Sequence, residues 1–99
     1  MIRHVVNFRF NAGTTDEMVS ALSAALETLS DQIQGIRNFT HGKDLGLWPE
    51  GSNYSYTVIA EFDTEESYRA YAADPYHQEV IRKYLLPILK DRAAVQFEA

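Results

Sequence analysis

The segment from Tyr68 to His77 contains the side chains of this sequence best suited to transfer a proton. Tyr71 comes three residues before an Asp74-Pro75 pair, and His77 follows two residues after the proline. A neutral imidazole can accept a proton as a general base, and a phenol can donate a hydrogen bond to a carbonyl oxygen. His77 and Tyr71 are therefore the candidate catalytic pair of the chain.

Two opposing influences act on the charge of His77. Asp74-Pro75 has the composition of a helix start, with the aspartate as the cap and the proline in the first helical position. His77 would then lie in the first turn, where the helix dipole favours the neutral imidazole, whereas the Asp74 carboxylate favours the imidazolium. We expect this carboxylate to be occupied by capping amides, and the net direction of the pKa stays open.

A structural role is the alternative for the histidines. A histidine in the apolar stripe of a helix, beside tyrosines, is often a core residue whose ring nitrogens are hydrogen-bonded, and this applies to His77. His4 lies among the apolar Ile2, Val6 and Phe8 on one strand face and needs a polar partner there. His41 has the surroundings of a surface strand or loop residue. Catalytic and structural roles both stay open for His77 and His4.

The sequence contains no motif that indicates a metal, cofactor or nucleic-acid site. The three histidines form no i,i+4 pair and no His-Glu-x-x-His pattern, there is no cysteine, and the five glycines are scattered at turns. We therefore predict no tightly bound metal and no cofactor. Nine Lys and Arg against fourteen Asp and Glu give a net charge of −5, which argues against binding to nucleic acid or to an anionic membrane.

The 99 residues are enough for one domain, which we expect to span residues 1–99. Hydrophobic residues make up 45% of the chain and can build a core. No apolar run approaches the roughly 20 residues of a membrane-spanning helix, and the first residues lack the apolar stretch of a signal peptide. These features predict a soluble, cytoplasmic protein.

Four strands are predicted from hydrophobic patterning. In the first, His4, Val6 and Phe8 share one face, and the third alternates in the same way. A loop rich in turn residues, 46–53, separates the second strand from the third. The predicted strands are Ile2–Phe10, Ile36–Asp44, Tyr54–Phe62 and Ala93–Phe97.

Three helices are predicted between the strands. Thr14 and Glu17 have the spacing of a capping box, and apolar residues recur at helical spacing over 18–33, which predicts one long amphipathic helix. The other two predicted helices run from Asp63 or Thr64 to about Ala73, and from Pro75 to a kink or end at Pro87.

The order β-α-β-β-α-α-β predicts a ferredoxin-like α+β fold with a four-stranded antiparallel sheet. In this layout helices cover one face of the sheet and leave the other bare. The bare face would carry Val5, Thr57 and Ile59 among polar groups. A small domain with such a partly apolar, uncovered sheet is a candidate for self-association.

Four short motifs occur in order along nearly the whole chain. They are the opening strand 3–10, the turn Ile33-Gln34-Gly35-Ile36, Gly42-Lys43-Asp44 at the end of the second strand, and Tyr71-x-x-Asp74-Pro75-x-His77. On these residues the sequence resembles the stress-responsive A/B barrel domain family of the dimeric α+β barrel superfamily. Gln34 stands where that family usually has proline, and Asp74 where histidine is common.

The resemblance implies a homodimer, in which two sheets pack by their bare faces into a barrel with the helices outside. It also implies a pocket between the sheet and helices of each subunit, suited to a small apolar ligand or substrate. The polar groups of that pocket would be His77, Tyr71 and His4. Its apolar lining would be Val6, Phe8, Leu22, Leu26, Val58 and Phe62.

The resemblance also suggests a chemistry. In a plant polyketide cyclase of this family, the histidine and tyrosine at the positions of His77 and Tyr71 act in an intramolecular aldol closure. By analogy, His77 would remove a proton from a carbon next to a carbonyl, and Tyr71 would stabilise the enolate. Three functions stay open: a cofactor-independent lyase or cyclase acting on a small apolar carbonyl compound, a non-catalytic dimeric stress protein that binds a small ligand, and a cofactor-free monooxygenase.

Overall fold

The computed structural model describes residues 1–49 and 51–99. Over these residues the chain folds as a layer of helices packed on one face of a sheet. None of the helices described has the length and apolar composition needed to cross a bilayer. The strands are β1 (Ile2–Phe10), β2 (Ile36–Lys43), β3 (Tyr56–Phe62) and β4 (Leu89–Glu98). The helices are α1 (Asp16–Glu27), α2 (Leu29–Gln32), α3 (Glu65–Ala73) and α4 (Pro75–Val80), and a π-helical turn (Ile81–Leu85) continues α4.

The four strands form one antiparallel sheet in the order β2-β3-β1-β4. The register of β1 places Val6 opposite Val58 of β3 and opposite Ala94 of β4. The strands β1 and β3 each lie between two neighbours, whereas β2 and β4 form the edges of the sheet. This arrangement confirms the predicted ferredoxin-like α+β fold.

The core lies between the helices and one face of the sheet. Along the middle of β1 and throughout β3 every second side chain is buried, as the two-residue period of a half-buried strand requires. Leu22 and Leu26 of α1 lie four residues apart, on one face of the helix, and both are buried. The buried apolar residues are Val6, Phe8, Leu22, Leu26, Leu29, Ile33, Tyr56, Val58, Ala60, Phe62, Tyr71, Val80, Leu85 and Ile88.

The opposite face of the sheet lies away from this core and is partly apolar. Val5 of β1 lies opposite Ile59 of β3 and Val95 of β4, so three branched apolar side chains stand side by side across three strands. Val95 is 54% exposed, and Phe97, two residues further along β4, is 42% exposed. The face predicted to be bare is therefore bare in the single chain.

The start of the first helix differs from the prediction. The cap is Thr15, whose hydroxyl oxygen accepts a hydrogen bond from the Met18 amide (3.2 Å). Thr14, predicted as the cap, instead donates its hydroxyl to the Asn11 carbonyl (2.7 Å) and so stabilises the preceding turn. The predicted single long helix is also wrong, because α1 ends before Thr28 and α2 is a separate short helix.

The last strand begins four residues before the predicted Ala93, at Leu89. The predicted strand was too short because β1 extends to Phe10 and its backbone pairs with β4 along its whole length. A register irregularity between Arg9 and Phe10 accommodates this end of the pairing. Arg92 therefore belongs to β4.

The loop predicted at 46–53 connects β2 and β3, and Glu50 within it lies outside the described residues. Asp44 was predicted as the end of the second strand, but β2 ends one residue earlier. The Asp44 carboxylate accepts a hydrogen bond from the Asn53 side chain (2.9 Å), which ties the two sides of the loop together. β3 begins two residues later than predicted, at Tyr56.

The helical segment that starts at Pro75 ends just before Pro87, as predicted. α4 is regular as far as Val80 and then widens into the π-helical turn. In this turn the Leu86 amide donates a hydrogen bond to the Ile81 carbonyl five residues earlier (2.9 Å). The hydrophobic pattern predicted the end of the helix but not the π-helical turn.

Candidate functional site

A cavity of about 300 Å³ lies between the helices and the strands β1, β3 and β4. At roughly 30 Å³ per water molecule, it has room for about ten waters or for a small organic ligand. Most of the lining side chains are apolar. The lining residues are His4, Val6, Phe8, Leu26, Val58, Tyr68, Tyr71, Ala72, His77, Gln78, Ile81, Leu85, Leu86, Leu89 and Arg92.

Most of the residues predicted for a ligand site meet at this cavity. Leu22 and Phe62 do not line it, contrary to expectation, because both are fully buried in the core, with 0% of their surface exposed. The Phe62 ring packs against the Tyr71 ring, with 5.1 Å between their centroids, and so holds the tyrosine in place. The seven predicted residues that line the cavity are His4, Val6, Phe8, Leu26, Val58, Tyr71 and His77.

The junction between α3 and α4 brings His77 and Tyr71 together. Asp74 ends α3 and begins α4, and its Oδ1 accepts hydrogen bonds from the amides of Tyr76 (2.8 Å) and His77 (3.4 Å). The predicted capping role of Asp74, with Pro75 in the first helical position, is confirmed. The short break between the helices leaves the His77 and Tyr71 rings in contact, with 4.2 Å between centroids and 39° between planes.

Burial determines the protonation state of His77. Removal from water lowers the pKa of its imidazole, and this exceeds the opposing influence of the Ala72 carbonyl and the Asp74 carboxylate, which both raise it. The Ala72 oxygen is already bonded to the Gln78 side chain (2.7 Å), and the buried Nδ1 of His77 has no hydrogen-bond partner in residues 1–49 and 51–99. The sequence left the direction of the pKa shift of His77 open, and in the structure this pKa is lowered. The imidazole is therefore neutral at pH 7.

Tyr71 is held in its protonated form. Only 3% of its surface is exposed, and burial raises the pKa of its phenol well above the ordinary value, with a smaller contribution from Tyr68. A phenol in this state can donate a hydrogen bond to a bound oxygen but does not act as a base near neutral pH. The adjacent imidazole and phenol therefore have distinct protonation roles, one accepting and one donating.

His4 is a second neutral imidazole in the cavity wall. Its Nδ1 lies 2.9 Å from the Gln96 side-chain nitrogen, and because an amide nitrogen can only donate, Nδ1 accepts and the ring proton lies on Nε2. The predicted need of His4 for a polar partner is thus met. Burial, then the charge of Arg92, then that of His77, lower the pKa of His4 to about 4. Its ring centroid lies 6.3 Å from that of Tyr71.

Several lining residues were not predicted as part of the site. Tyr68 belongs to the motif that contains the candidate pair, but its contact with His4, 5.1 Å between ring centroids, needs the fold to be known. Ile81 could have been found from the apolar stripe of the last helix. Arg92 was missed because the predicted fourth strand began one residue after it.

His41 does not lie on the surface as expected, nor does it line the cavity. Its side chain is only 4% exposed, and its Nδ1 lies 2.6 Å from the Tyr56 hydroxyl. Its Nε2 lies 2.5 Å from a Glu27 carboxylate oxygen, without the alignment of a hydrogen bond. These contacts give His41 a structural role, joining β2, β3 and α1.

The polar groups that line the cavity are few and uncharged near neutral pH, apart from Arg92. The lining includes no carboxylate, and the described residues contain no group of three or more His, Cys, Asp or Glu side chains that could hold a metal ion. The groups that could act on a ligand are one unpartnered neutral imidazole, one protonated phenol and a second neutral imidazole. Together they suit general acid–base chemistry at an oxygen-bearing carbon centre.

The comparison with protein families gives one match over nearly the whole chain. The family described as "Stress responsive A/B Barrel Domain" matches residues 2–99. A stress-response A/B barrel domain-containing protein of Arabidopsis thaliana is 25% identical over 84 residues, which cover 85% of this chain and 77% of the relative.

Solved structures share the fold. A dimeric ferredoxin-like protein of unknown function from Thermobifida fusca is 38% identical, with a TM-score of 0.89 over 99% of this chain and 90% of that one. A hydroxynitrile lyase from Passiflora edulis is 14% identical, with a TM-score of 0.82 over 97% of this chain and 90% of that one. At that identity the likeness concerns the fold alone.

Proposed function

The chain belongs to the stress responsive A/B barrel domain family, and from that premise we propose that it is a cofactor-independent enzyme acting on a small apolar carbonyl compound by acid–base chemistry. The observation that carries this proposal is the contact between the neutral imidazole of His77 and the protonated phenol of Tyr71, 4.2 Å between centroids, at the wall of an apolar cavity. An apolar cavity with a few convergent polar groups is typical of a small-molecule site.

The proposed reaction begins with proton abstraction. The imidazole of His77 takes the proton from a carbon next to the carbonyl, and the electron pair of that C–H bond forms the enolate. The Tyr71 hydroxyl donates a hydrogen bond to the enolate oxygen, where the negative charge develops. In a cyclase, the enolate carbon then attacks a second carbonyl carbon of the same molecule, and the resulting alkoxide takes the proton back from the His77 imidazolium.

The protonation states support this order of events. The lowered pKa of His77 keeps the base neutral and ready to accept a proton, and the raised pKa of Tyr71 keeps the phenol able to donate.

The test is hydrogen–deuterium exchange at carbons next to the carbonyl in phenylacetone and acetophenone, followed by NMR in D₂O. We expect the wild-type protein to accelerate exchange, His77→Gln to reduce that acceleration by about 100-fold or more, and Tyr71→Phe by a similar factor. Tyr84→Phe is the matched control, because Tyr84 is half-buried outside the cavity. Thermal unfolding verifies that each variant is folded.

The outcomes separate the proposal from its alternatives. If a ketone binds in the cavity and the wild-type protein exchanges its protons no faster than free imidazole does, the chain is a binding protein without turnover. If His77→Gln lowers the stability by several kcal/mol and leaves exchange unchanged, the histidine is a core residue. Either result overturns the enzymatic proposal.

We also propose that two copies of the chain pair by the bare face of the sheet. Support comes from the row formed by Val5, Ile59 and Val95 and from the dimeric relative of Thermobifida fusca. We expect light scattering to give the mass of a dimer for the wild-type protein and of a monomer for Val95→Asp, with Ser20→Asp on the exposed side of α1 as the control. A wild-type monomer would contradict this assembly.

A further inference from the structure

Arg92 differs from the other arginines of the chain because it has no carboxylate partner among the described residues. Acidic residues outnumber basic ones, fourteen to nine, so carboxylate partners are in excess. The other five arginines each lie 2.6 to 3.9 Å from a carboxylate oxygen. These pairs are Arg3–Glu61, Arg9–Asp91, Arg37–Asp63, Arg69–Glu65 and Arg82–Glu79.

Arg92 is one of the cavity-lining residues that are exposed to solvent. It is opposite Phe8 in the β1–β4 pairing and lines the cavity. Gln96, four residues further along the same strand and hence on the same face, reaches His4 on the helical side of the sheet. Arg92 is exposed as a residue, so its guanidinium is available at the open edge of the cavity.

The guanidinium of Arg92 is the one permanent positive charge in the cavity lining, and the lining has no negatively charged side chain. The lining includes no Asp, Glu or Lys. Burial keeps His4, His77 and Tyr71 neutral near pH 7, since it lowers the pKa of both histidines and raises that of the tyrosine. The positive charge of Arg92 acts on groups in the cavity wall, because its repulsion contributes to the lowered pKa of His4.

We propose that the molecule bound in this cavity carries a carboxylate, which pairs with Arg92 at the β4 edge while an apolar body fills the interior. This inference rests on the proposed function and adds the charge of the compound and its orientation in the cavity. A guanidinium suits a carboxylate, because two parallel N–H···O hydrogen bonds can form. The carboxylate stays at the edge, where water still solvates it, since full burial would be unfavourable.

This orientation leaves the carbonyl end of the molecule at the candidate catalytic pair. His77 and Tyr71 belong to the α3–α4 junction, whereas Arg92 belongs to an edge strand of the sheet, so the two polar regions are on different walls of the cavity. Apolar side chains of the same lining, such as Phe8 and Leu85, contact the body of the ligand.

The experiment uses calorimetric titration to compare two probes of nearly the same size and shape, the anion naphthylacetate and its neutral amide, naphthylacetamide. We expect Arg92→Gln to weaken the binding of naphthylacetate about three- to fivefold, which is the size of effect that loss of an exposed ion pair has. The dissociation constant of naphthylacetamide should change by less than about twofold. Arg92→Lys should keep part of the preference for the anion. Lys90→Gln is the matched control, because it removes the same charge from the same strand but does not line the cavity.

A further variant distinguishes failure of this inference from failure of the proposed function. Ala72→Phe fills the cavity and should abolish the binding of both probes. If both probes bind, are lost in Ala72→Phe and do not respond to Arg92→Gln, the carboxylate inference is wrong and the proposed site stands. If neither probe binds to the wild-type protein, both are overturned. Equal weakening of the acid and the amide in Arg92→Gln also contradicts the inference.

Discussion

His4 should make the stability of this protein depend on pH, because its ring is buried in the neutral form. The pKa of His4 is lowered from 6.5 to about 4, first by burial and then by the charges of Arg92 and His77. Between these two pH values the unfolded chain binds a proton at His4 that the folded chain does not bind. The free energy of unfolding should therefore fall as the pH drops from 6.5 towards 4.

The size of the effect follows from the pKa difference, 6.5 − 4 = 2.5. At about 1.36 kcal/mol for each pKa unit, the upper limit is ~3.4 kcal/mol. Only 6% of the surface of His4 is exposed, but the ring lines a cavity that water can enter, and water screens the charge. We expect about half of the limit, ~1.7 kcal/mol, to be lost by pH 4.

The assay is urea denaturation between pH 7 and pH 4, at one protein concentration, of the wild-type protein and His4→Asn. Asparagine can place its side-chain oxygen near the position of Nδ1, so it keeps an acceptor for Gln96 but cannot be protonated. His77 and the carboxylates titrate in both proteins, so the difference between the two pH profiles reports His4 together with its coupling to His77. Identical profiles, or a wild-type protein that gains stability relative to the variant on acidification, would refute the reasoning.

Two further substitutions test the packing around the histidines. Asp74→Ala removes the carboxylate that caps the amides of Tyr76 and His77, so we expect the free energy of unfolding in urea to fall by about 1 kcal/mol. Ketone exchange should also slow, because His77 and Tyr71 lose their fixed spacing. Asp74→Asn should restore both the stability and the exchange rate, and an unchanged exchange rate in Asp74→Ala would contradict this prediction. Tyr56→Phe removes the hydroxyl 2.6 Å from Nδ1 of His41, so we expect the free energy of unfolding to fall by about 1–3 kcal/mol. Ketone exchange should stay at the wild-type rate, and a slower rate would show that this contact affects the cavity.

The junction that carries the candidate pair could be predicted because its signals are local. An aspartate followed by proline specifies a cap and a first helical position within two residues, and both are observed. The burial of alternate residues along β1 could be predicted for the same reason, since the two-residue period is visible without knowing the partner strands. The direction of the pKa shift of His77 could not be predicted from the sequence, because the burial of its ring depends on how the whole helical layer packs.

The features that were missed depend on contacts between elements that are distant in sequence. The segment from Lys90 to Arg92 is polar and has no alternation, yet it forms a strand because β1 offers backbone partners beside it. An edge strand with exposed side chains needs no apolar pattern of its own. His41 is similar, since its burial depends on Glu27 and Tyr56 and nothing next to it in sequence indicates either contact.

The shape of the cavity also depends on a departure from regular helix. Within the turn Ile81–Leu85 the ladder shifts from four-residue to five-residue hydrogen bonds, and Leu86 closes the wider turn on Ile81. Ile81, Leu85 and Leu86 all line the cavity, so the widened turn forms much of its apolar wall. A π-helical turn is rare in proteins and is frequent at functional sites. The directions of these three side chains therefore follow from the five-residue hydrogen bonds of the turn, which the hydrophobic pattern of the sequence does not specify.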